Sequence, residues 1–290
     1  MFKNIERLLY AAFWLFFFYV LIKPLIKQDR SLTDESDITT DISTETKAQV
    51  ELPLHDVVLP EFSKISDIKQ KKKQFFDFLR PAIIQENSRI SHLRGQLTAI
   101  EQKLQQAQLV ASTATPSLLQ PKLILNEQEQ QLINELAKQY RLKKNLSLSQ
   151  KIQQLLTRVD IVPTPLVLVQ AANESAWGTS RFARIGLNFF GIWCYRKGCG
   201  MVPNGRDQGL RHEVAAFQSV EQAVSHYLHN INTNNAYHVF RTIRAQLHEQ
   251  KQPLSAEILV TGLLPYSERG TDYVIEISEM IRHNKVYLFQ

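Results

Sequence analysis

The sequence predicts a mainly helical protein. Three observations carry that expectation. Apolar residues recur at spacings of three and four, capping pairs stand where those patterns begin, and no alternating run is long enough for a large sheet. The 44% of apolar residues excludes a wholly disordered chain, and ten glycines in 290 residues exclude collagen-like or glycine-rich architectures. Net charge is +6, from 34 basic and 28 acidic residues, which mildly favours nucleic acid, an anionic membrane surface or an anionic wall polymer. Two cysteines make neither a disulfide scaffold nor a four-cysteine zinc site.

The first element is an apolar run, LLYAAFWLFFFYVLI over residues 8–22, extended by Leu25 and Ile26. As a helix rising about 1.5 Å per residue, it is just long enough for a hydrocarbon layer of about 30 Å. The KPLIKQDRS that follows lacks the small-residue pattern of a signal-peptide cleavage site. Residues 1–30 therefore read as a signal anchor, a transmembrane segment that stays on the chain, with a cleaved signal peptide started by Lys3 and Arg7 as the alternative. Charges on its two flanks do not fix its orientation. Residues 31–60 begin SLTDESDITTDISTET and read as a flexible acidic linker, too poor in apolar groups to offset their ordering entropy.

Residues 61–124 read as a helical hairpin and linker. KISDIKQKKKQFFDFL ends before Arg80-Pro81, and Pro81 is suited to open a second helix. In that helix Ile90, Leu93, Leu97, Ile100 and Leu104 form a two-heptad seam that fits packing on the domain or dimerisation. ASTATPSLLQPK reads as linker, so the main domain is expected over 125–290. Asn126 with Glu129 forms a capping box for a helix reaching Leu142, and a shorter helix follows over about 147–158. Ser219 with Gln222 opens another, whose Val220, Ala223, Val224, Tyr227, Leu228 and Ile231 make one buried face.

Chemistry concentrates in residues 163–190. Thr164 as N-cap and Pro165 start a helix whose LVLVQAA is apolar nearly all round, hence buried on every side. On it sits Glu174, followed by Ser175, Ala176, Trp177 and Gly178. Desolvation penalises the charged carboxylate, which suits it to donate a proton to a glycosidic oxygen. A buried glutamate paired with Arg181 or Arg184 is an equally open reading of the bare residue.

QAANESAWGTSRFA with NFFGIW resembles the glucosaminidase domain of glycoside hydrolase family seventy-three, in the lysozyme-like superfamily. NFFGIWCYRKGCG together with the preceding helical stretch is similar to the Bax-type proteins of Gram-negative bacteria. The resemblance implies a lysozyme-like helical domain with a small β lobe, preceded by the helical hairpin and the N-terminal membrane helix. It implies a peptidoglycan hydrolase, an endo-β-N-acetylglucosaminidase cleaving the β-1,4 bond after N-acetylglucosamine. Glu174 is then the catalytic acid. Glu213, in RHEVAAF, is the second carboxylate as base or electrostatic stabiliser, and Tyr237 orients the acetamido group or stabilises the developing cation. Trp177, Phe190, Trp193 and Asn188 are the substrate-binding candidates, though core packing suits each aromatic equally well.

Cys194 and Cys199 enclose a turn-forming YRKG and are expected as a disulfide in an oxidising compartment. His226 and His229 have apolar neighbours on the buried face of their helix and no HExxH carboxylate, so no metal and no cofactor is expected. Peptidoglycan glycan strands and, through the N-terminal helix, the inner membrane are the expected partners; nucleic acid is not, and protein partners are unspecified. The catalytic domain is expected in the periplasm. A lytic transglycosylase and a non-catalytic wall-binding scaffold are the alternatives.

Overall fold

The computed structural model describes residues 51–113, 125–204, 206, 209 and 211–289. The signal-anchor reading of residues 1–30 lies outside the described residues. Among the described residues no helix is long and apolar enough to cross a membrane.

Helix α1 runs unbroken from Ile68 to Thr113, with Pro81 inside it. The hairpin expected over 61–124 is therefore corrected to one helix of 46 residues. The reason lies in which face the proline occupies. Pro81 is exposed, while Phe75, Phe76, Leu79, Ala82 and Ile83 on the opposite face are buried. A mid-helix proline costs about 3 kcal/mol, and burying five apolar side chains at about 1.5–3 kcal/mol for each large one outweighs it. Ile90, Leu97 and Ile100 of the heptad seam are buried within the same chain, so packing on the domain accounts for the seam.

Polar clips also make α1 part of the domain rather than an appendage. The Asn87 amide donates to the Val162 carbonyl at 2.8 Å and accepts from the Val162 amide at 3.2 Å. Arg80 reaches the Leu288 and Tyr287 carbonyls at the C-terminus. Among the described residues one core includes side chains from both sides of position 125, so the boundary expected there does not separate two cores.

The flexible-linker expectation fails over 51–60. Leu54 donates its amide to the Ile185 carbonyl at 2.8 Å, and Glu51 pairs with Arg181 at 2.5 Å. Val57 and Leu59 pack on the core, which supplies the apolar surface that the acidic stretch before them lacks.

Helix α2 (Glu127–Gln139) starts on the expected Asn126–Glu129 capping box and stops at Tyr140, two residues short of Leu142. Helix α3 (Leu148–Arg158) is capped by Ser147. Helix α4 (Thr164–Glu174) starts one residue earlier than expected, with Pro163 at the N-cap, and seven of its eleven residues are buried. Helix α5 (Arg181–Gly186) leads into a small antiparallel sheet of β1 (Trp193–Cys194), β2 (Gly200–Met201) and β3 (Glu213–Ala215), in order β1-β3-β2. Trp193 pairs with Val214, and Met201 pairs with Val214 from the other side.

Helix α6 (Val220–Thr233) buries the predicted face and is followed by a 3-10 turn, Asn235–Tyr237, and α7 (His238–Glu249). After α8 (Ala256–Leu259) the 3-10 segment Val260–Tyr266 leads to α9 (Thr271–His283) and α10 (Lys285–Leu288). Helix α9 packs on α4 and the 3-10 segment, bringing the last forty residues against the helix that carries Glu174.

Candidate active site

Glu174 is the last residue of α4, where the buried helix meets the surface. The chain then turns sharply: Ala176, Trp177 and Gly178 all have left-handed backbones, at φ 50°, 58° and 77°. Buried Ser175 fixes the turn, donating to the Ala171 carbonyl at 2.6 Å and accepting from the Gly178 amide at 2.8 Å. Gly178 is required here on two counts. Its φ favours glycine, and an added Cβ would lie 2.6 Å from the Phe62 ring.

Four tyrosines surround the carboxyl. Tyr273 of α9 and Tyr227 of α6 are fully buried, and between them lies Gln170, one turn before Glu174 and itself fully buried. The Tyr227 hydroxyl donates to Gln170 Oε1, and Gln170 Nε2 donates to the Tyr273 hydroxyl at 2.9 Å. The Tyr273 hydroxyl in turn faces the Glu174 carboxyl and acts on it. Tyr266 stacks on Tyr273 with ring centres 5.5 Å apart, leans on Tyr237 at 5.8 Å and donates to the Phe190 carbonyl at 2.8 Å.

Burial pushes the Glu174 carboxyl above its ordinary range. Hydrogen bonds from Tyr273 and Asn173 and the charge of Arg269 oppose the rise, while Glu276 adds to it. Arg269 pairs with Glu276 at 2.5 Å, so these two charges act on the carboxyl in opposite directions. Burial also raises the tyrosine hydroxyls, which stay neutral donors and acceptors. Gly191, at φ 63°, leaves one carboxyl oxygen uncrowded: a Cβ there would sit 3.4 Å from Glu174 Oε2. The result is a carboxyl favoured in its protonated form, with a neutral polar wall behind it.

The structure brings Tyr237 to this site, buried in the tyrosine cluster and close enough for the Glu174 charge to raise it. Three of the residues expected as substrate contacts have side chains engaged in packing or in backbone hydrogen bonds. Trp177 packs its ring against Phe75 and Phe76 of α1, at 5.7 and 5.2 Å between centres, with Lys72 over it at 5.3 Å. Phe190 is buried and stacked on Tyr227 at 4.2 Å. The Asn188 amide is saturated by backbone, donating to the Ile192 and Ala215 carbonyls at 2.8 Å each and accepting from the Phe190 and Ile192 amides. Trp193 remains available. It is 48% exposed on β1 and stands edge-on to His212 at 4.4 Å.

Glu213 is buried on β3, and its two carboxylate oxygens accept from the amides of Gly198 and Gly200 at 3.0 Å each. Those amides, with Gly198 first, hold its carboxyl below the ordinary range against the opposing effect of burial. Among the described residues no hydrogen bond or ion pair joins Glu213 to Glu174. The carboxylate instead receives the turn closed by the expected Cys194–Cys199 disulfide. The donor atoms of Cys194, Cys199 and Glu213 lie within 4.8 Å of one another, but the disulfide occupies both sulfurs.

His226 and His229 line a separate cavity of about 290 Å³, with Glu86, Arg89 and Tyr140, that shares no residue with the Glu174 site. Tyr266, Tyr273, Arg269 and Gln170 join the site without having been expected there. Only Gln170 had a local signal, as the single polar side chain inside LVLVQAA.

Residues 149–285 match the glucosaminidase family, described as mannosyl-glycoprotein endo-beta-N-acetylglucosaminidase. Over 229 residues the chain is 33% identical to protein bax of Escherichia coli (strain K12), covering 78% of this chain and 74% of that protein. No solved structure matches the chain.

Proposed function

Because the chain belongs to the Bax-type glucosaminidase family, we propose that it is a peptidoglycan hydrolase that cleaves the β-1,4 bond after N-acetylglucosamine. One observation carries this reading: a carboxyl at the end of a buried helix, held towards its protonated form by burial and backed by a tyrosine hydroxyl. Glu174 gives its proton to the glycosidic oxygen as the bond to the anomeric carbon breaks and its electron pair passes to that oxygen. Tyr237, across the cluster, faces the developing positive charge, and exposed Trp193 offers a stacking face for a sugar further along the strand. Glu213, bound to two amides, supports the β lobe, which leaves attack on the anomeric carbon to water or to the substrate's own acetamido oxygen.

That same engagement of Glu213 favours a second reading, a lytic transglycosylase, which needs one acid and no activated water. The membrane-tethered, periplasmic placement is part of the proposal. It is supported by the apolar residues 8–22 and by a disulfide suited to an oxidising compartment.

The test is digestion of purified peptidoglycan by the detergent-solubilised full chain, with product ends identified by mass. Reducing N-acetylglucosamine ends are expected, and anhydro ends would establish the transglycosylase. Glu174→Gln is expected to lower turnover by about 10²–10⁴-fold, the usual contribution of a general acid. Undiminished cleavage by that variant would refute the assignment.

A further inference from the structure

Gln170 has no route to substrate, yet it is the fully buried centre of a polar chain that ends on the acid. A primary amide has a donor end and an acceptor end, and a tyrosine hydroxyl has one proton. Tyr227 spends its proton on Gln170 Oε1, which fixes the amide so that Nε2 faces Tyr273. With its oxygen accepting from Nε2, Tyr273 has its proton free for the carboxyl it faces, Glu174. The reversed amide would leave the Tyr227 proton without an acceptor and draw the Tyr273 proton away from Glu174. Both losses would fall on buried groups, where an unmade hydrogen bond is costly.

From this geometry we infer that Gln170 is a positioning residue for the acid: its amide locks the Tyr273 hydroxyl as a donor to Glu174. The inference rests on Glu174 being the acid of the proposed reaction. As the proton leaves for the glycosidic oxygen, the carboxylate that forms already has a donor aimed at it, and no reorientation is needed. The other groups whose charge or hydroxyl faces Glu174 are Arg269 before α9, Glu276 on α9, Tyr227 on α6, and Tyr237 and Tyr266 on the 3-10 segments. Gln170 differs from all of them in acting only through Tyr273.

The experiment is a titration of the Glu174 carboxyl by carbon NMR in the full chain, its resonance identified with Glu174→Gln. It is run on the parent, Gln170→Met, Tyr273→Phe and the double variant. A donor to the ionised form lowers the midpoint, so each single variant is expected to titrate at higher pH than the parent. The double variant is expected to move no further than Tyr273→Phe alone, because both substitutions remove one interaction. The alkaline limb of kcat/KM on purified peptidoglycan is expected to shift the same way. A midpoint unchanged by Gln170→Met, or additive shifts in the double variant, would overturn the inference.

If Gln170→Met does not fold, Gln170→Glu serves, since a protonated carboxyl also carries one donor and one acceptor. It is expected to keep the parent midpoint, and a folded Gln170→Glu with a raised midpoint counts against the inference. Because the titration needs no turnover, the expected midpoints without any cleavage would support the coupling while refuting the hydrolase reading.

Discussion

Trp177→Ala separates two uses of the same side chain. The tryptophan follows the acid by three residues, where a sugar-stacking role is attractive, but its ring is spent on α1. Its centre lies 5.7 Å from Phe75 at 68° and 5.2 Å from Phe76 at 58°. Edge-to-face pairs of this kind contribute about 0.5–1.5 kcal/mol each beyond area burial, and the Lys72 contact adds about 0.5–1 kcal/mol. Truncating a large buried aromatic costs about 3–5 kcal/mol. Trp177 is only partly buried, so the low end applies, about 3 kcal/mol, or about 6–12 °C in Tm for a domain of this size. The assay is thermal and urea unfolding of parent and variant, with KM on purified peptidoglycan fragments measured where both are folded. The expected outcome is lowered stability with KM unchanged. Parent-like stability with a raised KM would show that the ring serves substrate and that the packing argument is wrong.

Asp160→Asn is expected to cost about 3–5 kcal/mol, because it leaves a buried arginine without its counter-charge. Asp160 meets Arg244 at 3.3 Å, Arg94 at 3.4 Å and His248 at 2.7 Å, and burial has already lowered the Arg244 guanidinium to about 10. Burial alone would raise the Asp160 carboxyl, but His248, Arg244 and Arg94 outweigh it and hold it below its ordinary 3.8. Its contribution is therefore present above that value and lost as pH falls through the lower folded one, so urea midpoints of parent and variant should converge in acid and differ at neutral pH. Glu213→Gln is expected to loosen the 198–200 turn, read as faster amide hydrogen exchange there, and to leave the acid limb of kcat/KM where it was. A displaced acid limb would restore Glu213 to the role of base. Gly191→Ala, which sets a methyl carbon 3.4 Å from Glu174 Oε2 at a left-handed φ, is expected to depress kcat/KM while the protein stays folded, and parent-like turnover would remove Gly191 from the site.

What could be read in the sequence was what neighbours in the chain decide. Asn126 and Glu129 lie three residues apart and satisfy each other's backbone, so their helix start was legible without any tertiary contact. Glu174 was legible for a similar reason: LVLVQAA just before it forces the helix inside whatever it packs on. Pro81 misled because the local rule against a mid-helix proline is real. Phe75, Phe76 and Ile83 override it only by burying themselves on distant parts of the chain. Trp177 and Phe190 fit a sugar-binding face as well as a core, and only Phe75, Phe76 and Tyr227 decide between the two.

The acid's surroundings belong wholly to this second kind. Gln170 lies within one turn of Glu174, but the groups that give its amide a direction come from α6 and α9. Arg269 just before α9 and Glu276 within it pair with each other and act on the carboxyl in opposite directions. The largest influence is burial, opposed first by Tyr273 and then by Asn173. Burial thus raises the Glu174 carboxyl without any contribution from Glu213, which holds the disulfide-closed turn. The engagement of Glu213 therefore follows from where the amides of Gly198 and Gly200 point, and the spacing of two acidic residues along the chain could not have shown it.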